Sequence, residues 1–192
     1  PREGSGTVVR FCPETRGNLK TYNISSTAGV RTMADKNSWS VYLSGEIHTD
    51  WREQIEDSVA AAGLPVTFSS PITDHEASDD CGVAILGAEP NKFWHDHKGA
   101  QMNSIRTRTL INKADVVVVR FGEKYKQWNA AFDAGYAAAL GKPTIIMHQD
   151  EHAHPLKEVD AAALAVTKSP QQVADILRYV INGELAGYTD AV

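Results

Sequence analysis

The sequence predicts a doubly wound α/β domain built on a mostly parallel sheet of about five strands, with helices on both faces. Three observations carry this expectation. Strand-like runs alternate with helically patterned runs from Ser40 onward. The run Asp115-Val-Val-Val-Val119 places four β-branched residues in a row, which suits a central parallel strand buried on both faces. Gly45, Gly63 and Gly141-Lys142-Pro143 end successive runs, as helix and strand stops do.

The elements follow in order. Ser40–Ser44 has strand composition and ends at Gly45. Asp50 is placed to cap a helix running to about Ala62, with Ile55, Val59 and Ala62 on one face. Val66–Phe68 reads as a second strand. Residues 70–93, with Pro71, Pro90 and several acids, read as a long irregular segment, of the kind that usually serves function. Ile105, Thr109 and Leu110 give Ser104–Lys113 helical spacing. After the valine strand, a helix is expected from about Ala130 to Leu140, with Asn129 as its candidate N-cap. Thr144–Met147 is the next buried strand and Leu164–Val166 a short fifth one. Ser169-Pro170 opens the last helix with the favoured cap and first-turn proline, and it runs to about Ile181.

The chain of 192 residues is 42% hydrophobic and 22% charged, enough apolar content for a packed core. Its net charge of −5 is uneven. Residues 1–38 hold six basic and three acidic residues, a net of +3, and the remaining 13 basic and 21 acidic residues give −8. The first segment is rich in Ser, Thr, Gly and Asn without periodicity. It reads as a basic, flexible extension (residues 1–38), either a presequence remnant or a solvated tail, ahead of an α/β domain over 39–192. The acidic balance disfavours nucleic-acid polymers as partners. No apolar run reaches the ~18–20 residues of a membrane span. Two cysteines, Cys12 and Cys81, fit a reducing compartment better than a disulfide framework. The expected location is cytoplasmic, with organellar import if residues 1–32 derive from a presequence.

In doubly wound sheets ligands bind beyond the carboxyl ends of the strands. That directs attention to Gly45–Asp50, Ser69–Asp80, Phe121–Asn129 and His148–His154. No GxGxxG or GxxxxGK[ST] cradle and no GxSxG elbow is present in the sequence. His95-Asp-His97 and His152-Ala-His154 have i, i+2 spacing, which converges on a metal only on a strand. Both pairs fall in expected loops, so no metal or other cofactor is assigned. Gly135 inside a predicted helix costs about 1 kcal/mol relative to Ala, and either another backbone or a ligand is expected to pack there.

With these residues in view, the body of the chain from Ser40 to about Val180 resembles the nucleoside 2-deoxyribosyltransferase superfamily, and most closely its YtoQ-type branch. The resemblance rests on VYLSGEIHTDWREQIE (41–56), GLPVTFSSPITDHEASDD (63–80), IRTRTLINKADVVVVRFGEKYKQWNAAFDAGYAAALGKP (105–143) and HPLKE (154–158). It implies a flavodoxin-like fold, cleavage of the N-glycosidic bond of deoxynucleosides, and a homo-oligomer. It also implies a nucleophilic carboxylate, matched by Asp133 in Asp-Ala-Gly-Tyr-Ala137, where the usual residue is Glu. The supporting acid six positions earlier aligns with Gln127, and an earlier helical acid with Thr107, beside Arg106. Tyr42 and Gly45 match the Tyr and Gly of the first strand. Glu46 is the candidate proton donor to the leaving base. His48, Tyr125, Gln127 and Asn129 are candidate binders of sugar or phosphate, and Trp51 or Trp94 of the base. The partner expected is a nucleoside or nucleotide. The alternative is a subunit that keeps the fold and binds nucleotides, or serves structurally, without catalysis.

Overall fold

The computed structural model describes residues 38–124 and 127–185. The expectations for the extension and for Tyr125 therefore lie outside the described residues, apart from Ser38. The elements are β1 (Trp39–Gly45), α1 (Trp51–Ala61), β2 (Val66–Ser69), α2 (His75–Leu86), α3 (Lys92–Lys113), β3 (Val116–Arg120), α4 (Trp128–Ala139), β4 (Thr144–Met147), α5 (Lys157–Ala162), β5 (Ala165–Thr167) and α6 (Pro170–Asn182). A 3₁₀ turn covers Asp150–His152. The five strands form one sheet in the order β2-β1-β3-β4-β5, and every pairing is parallel. This is the flavodoxin-like doubly wound arrangement.

Side-chain alternation along the strands builds two cores. On one face Val41, Leu43, Val116 and Val118 pack with Trp51, Ile55 and Val59 of α1 and Val173 and Leu177 of α6. On the other, Tyr42, Val117 and Val119 pack with Ile111 of α3 and Ala130, Ala134 and Ala137 of α4. The four valines of β3 are thus shared two and two, which is why that strand shows no polar alternation.

Several local expectations change. Residues 70–93 contain α2 and the start of α3 instead of a long irregular loop. Asp74 accepts from the Ala77 N–H and Asn91 from the Phe93 N–H, so each helix is capped by its own side chain. The two helices pack at glycines. A Cβ on Gly82 would stand 2.3 Å from the carbonyl carbon of Lys98, and one on Gly99 2.7 Å from the Asp79 carbonyl oxygen. Their polar contacts include Asn103 Nδ2 donating to the Ser78 carbonyl at 2.9 Å and His95 Nε2 beside Asp80 at 3.2 Å. Little apolar patterning is needed for that seam, which hid it in the sequence. His95 and His97 consequently lie on a helix, where i, i+2 positions diverge by roughly 200°.

The helix after β3 starts at Trp128, with Gln127 at the N-cap position and no side-chain cap bond, so Asn129 is a first-turn residue. Around Gly135 an added Cβ would meet nothing within 4 Å, so among the described residues no other backbone packs there. The fifth strand is displaced by one residue, to Ala165–Thr167. Asp50 occupies the N-cap position of α1, but its carboxylate accepts from the Gln54 amide at 2.9 Å instead of from a backbone N–H. Ser169 caps α6 as expected, accepting from the Gln172 N–H at 3.3 Å.

Candidate active site

The sheet order places β1 beside β3, while the chain leaves β1 toward β2 on the other side. Connections diverge at this point, and a crevice opens beyond the carboxyl ends of the two strands. The register aligns Gly45 with Arg120 there. Gly45 has φ +108°, and a Cβ would fall 2.0 Å from the Arg120 carbonyl oxygen. Only glycine permits β1 to turn out at this height. The resulting cleft has a volume of about 570 Å³ and is walled by the β1–α1 loop, the α2–α3 hairpin and the start of α4.

Asp133 lines this cleft and is 8% exposed. Ser44, one residue before Gly45 and 1% exposed, donates its hydroxyl to Asp133 Oδ2 at 2.5 Å. Among the described residues Oδ1 accepts no hydrogen bond. Burial pushes the Asp133 carboxyl above its ordinary value, and the Ser44 hydrogen bond pulls it down, favouring the anion. Asp133 is the sixth residue of α4, past the first turn where the helix macrodipole acts. Ser44, not the helix end, is therefore what supports the charge.

Tyr42 shares the Ser44 face of β1 and is fully buried, with its hydroxyl donating to Thr107 Oγ1 at 3.4 Å. Burial pushes its phenol up to about 12, so it stays neutral. Glu46 is 4% exposed. It accepts from the His48 backbone N–H, from the Thr49 hydroxyl at 2.6 Å, and faces Arg120 Nε at 3.5 Å. A Cβ on Gly122 would strike its Cγ at 2.4 Å, so glycine there makes its room. Two of these neighbours give hydrogen to the carboxyl, and Arg120 adds positive charge without a hydrogen bond, a setting that favours an acceptor and loop brace over the proton donor expected from sequence.

Trp51 belongs to the core below the loop, 1% exposed, with its indole N–H on the Glu46 carbonyl at 2.8 Å. It is packed in protein and does not line the cleft, so stacking on a base is closed to it. Trp94 on α3 is half exposed and lies outside the cleft as well. His48, Gln127 and Asn129 do line it. The Gln127 amide, however, closes its own loop: it accepts from the Gly122 N–H at 2.8 Å and donates to the Lys124 carbonyl at 2.6 Å.

Sequence reasoning missed three contributors. Ser44 was one step of strand alternation from Tyr42, which was the available signal. Arg52 is 6% exposed and donates to three carbonyls at the end of β1, those of Leu43, Gly45 and Glu46, at 3.2, 3.0 and 2.7 Å. Its neighbour Trp51 had drawn the attention. The α3 wall includes Arg106 and Arg108, which lie in the half of the helix that the spacing marks, but which face of it meets the cleft depends on how α3 folds back over the sheet end. Among the described residues no group of three or more His, Cys, Asp or Glu could hold a metal ion, and no helix is long and apolar enough to cross a membrane.

A protein from Enterococcus faecalis V583, described as a conserved protein, shares the fold with a TM-score of 0.52 at 10% identity, covering 74% of this chain and 99% of its own. A 2-deoxyribosyltransferase from Bacillus psychrosaccharolyticus superimposes with a TM-score of 0.44 at 14% identity, covering 71% and 90%. The uncharacterized protein YtoQ of Bacillus subtilis (strain 168) is 45% identical over 144 residues, 75% of this chain and 97% of that protein. The family model described as nucleoside 2-deoxyribosyltransferase YtoQ matches residues 42–181. The span includes the carboxyl-terminal half of β1, the cleft and Asp133, and the chain therefore belongs to the YtoQ family of nucleoside 2-deoxyribosyltransferases.

Proposed function

We propose that the protein cleaves the N-glycosidic bond of 2-deoxynucleosides or their nucleotides, with Asp133 as the nucleophile. The observation that supports this most is a buried carboxyl at the strand-end cleft, held through one oxygen by Ser44 with the other unengaged among the described residues. Oδ1 attacks C1′ while the C1′–N bond breaks, and its electron pair leaves with the base, which takes a proton from water in the open cleft. The sugar is then held as an ester of Asp133. Water, or a ring nitrogen of a second base, attacks C1′ on the opposite face of that ester, returns the electron pair to the carboxylate and gives its proton to the hydroxide left by the first step. The absent 2′-hydroxyl eases formation of the cation-like transition state. Aspartate is one methylene shorter than glutamate, so the sugar must sit correspondingly deeper.

Ser44 and Tyr42 orient the reacting end, Gly45 and Arg52 fix the loop, and Glu46 with Arg120 holds its charge balance. The α/β domain spans 39–192. Assembly as a homo-oligomer belongs to the same reading. Ile85, Leu86, Phe93 and Trp94, exposed on the α2–α3 hairpin, offer apolar surface for it, and sedimentation velocity measures it.

The test is release of free base from a panel of deoxynucleosides and their monophosphates by wild-type protein and Asp133→Ala. Release by the first and only background by the second is expected; equal release by both contradicts the assignment. A second reading, a nucleotide-binding subunit without chemistry, is favoured by the shorter acid at the nucleophile position. It requires ligand-induced thermal shifts equal in wild type and Asp133→Asn, with no turnover in either.

A further inference from the structure

The cleft brings together more positive charge than its own acids engage, in a domain whose residues after 38 carry −8 overall. Four basic side chains line it: Lys92, Arg106, Arg108 and Lys124. Of its four acids, Asp96 pairs with Lys92 at 3.0 Å, Glu46 with Arg120 at 3.5 Å, and Asp79 with His75 at 3.7 Å. The fourth, Asp133, is bonded to Ser44. Arg106, Arg108 and Lys124 have no ion-pair partner among the described residues.

These three come from two different elements, α3 and the loop after β3. Arg106 is steadied by donating from Nη2 to the Ser70 carbonyl at 3.4 Å. Arg108 lies over the rings of Phe132 and Tyr136, 5.8 Å from each centroid. A guanidinium stacked on a ring keeps its in-plane N–H groups available to a ligand. Phe132 precedes Asp133, which ties the Arg108 site to the reacting end. The three cations are exposed at the rim, and Asp133 is buried at the floor.

Deepening the glycosyl reading and resting on it, we infer that the substrate is a 2-deoxynucleoside 5′-monophosphate, its phosphate held at the rim by Arg106, Arg108 and Lys124. A phosphate monoester carries about −1.5 to −2 at neutral pH on three strong acceptor oxygens, which two guanidinium forks and an ammonium match in charge and donors. With C1′ at Asp133, the group must span from floor to rim. The 5′ position, hung on an extra methylene, reaches farther than the ring-attached 3′ position. The volume of about 570 Å³ lies within the ~300–1,000 Å³ usual for pockets that enclose such ligands.

The experiment is calorimetric titration of full-length Asp133→Asn with four probes: 2′-deoxynucleosides, their 5′-monophosphates, their 3′-monophosphates and inorganic phosphate. The 5′-monophosphate of at least one base is expected to bind about ten-fold or more tightly than its nucleoside, with a preference that shrinks as salt is raised. Adding Arg106→Gln or Lys124→Gln should each weaken the 5′-monophosphate by about ten-fold and leave nucleoside affinity unchanged. Equal affinity for nucleoside and 5′-monophosphate overturns the inference. So do inorganic phosphate or 3′-monophosphate binding as tightly, no monophosphate binding at all, or indifference to both substitutions. Base release from unphosphorylated deoxynucleosides as fast as from monophosphates would remove this inference and leave the glycosyl reading standing. Tight 5′-monophosphate binding without any base release by wild type would do the reverse.

Discussion

Ser44 gives its only hydrogen to a carboxyl that burial disfavours as an anion. Removing that hydrogen should therefore weaken the nucleophile in a way a merely structural change would not. Ser44→Ala is expected to lower kcat by roughly 10- to 100-fold, the worth of one hydrogen bond to a charged group. It should also move the acid limb of the pH–rate profile to higher pH, because the bond favours the ionised form. Loss of rate with an unmoved limb would assign Ser44 to packing alone. The stability consequence runs the other way. The folded carboxyl of Asp133 sits above its unfolded value, so its stabilising contribution is complete at low pH and is lost as pH rises through the folded value. Asp133→Asn is expected to raise Tm at neutral pH, with the gain fading as the pH falls through the carboxylate range; a thermal melt series checks it. Glu46 gives a third test: its acceptor role means that Glu46→Gln lowers Tm, with a rate loss equal for good and poor leaving bases. A loss confined to poor leaving bases would restore it as the proton donor. At this scale the family resemblance singled out a residue, Asp133, that the structure places in the cleft, whereas Ser44 was not legible, since one serine in a strand carries no signal until its face is known.

The elements differ in how much of themselves the sequence displays. The strands β1, β3 and β4 were clear because both faces are buried and apolar runs result. The α2–α3 hairpin was opaque because its seam is made by Gly82, Gly99 and polar contacts, so no apolar period marks it. Its packing can be tested directly. Gly82→Ala sets a methyl 2.3 Å from backbone of the facing helix and is expected to destabilise the protein by roughly 1–3 kcal/mol in chemical denaturation. Gly135 makes the opposite case. It lies in α4 with open space around a new Cβ, so Gly135→Ala should stabilise by about 1 kcal/mol through helix propensity. The sequence argument that a helical glycine signals a close neighbour fails at Gly135 and holds at Gly82 and Gly99. Only the packing around each separates the cases.

For the domain as a whole, the topology decides where chemistry happens. Parallel strands in the order β2-β1-β3-β4-β5 put one divergence point between β1 and β3. The sequence already placed the first and third strands, so the cleft end of the domain was legible from pattern alone. The walls were not, because they depend on how α2 and α3 fold back over the sheet end and on which side chains leave the core there. Charge is arranged in the same way: the acidic domain gathers at one opening three cations that have no ion-pair partner among the described residues, a feature that net charge conceals. The central claim of the proposed function is that Asp133 bonds to C1′. The most direct measurement incubates the protein with a slow 2′-fluorinated deoxynucleoside and its 5′-monophosphate, then maps adducts by peptide mass spectrometry. A covalent 2-deoxy-2-fluoropentosyl adduct on Asp133, absent from Asp133→Asn, is the expected result; base release with an unmodified Asp133, or an adduct on another residue, would contradict it.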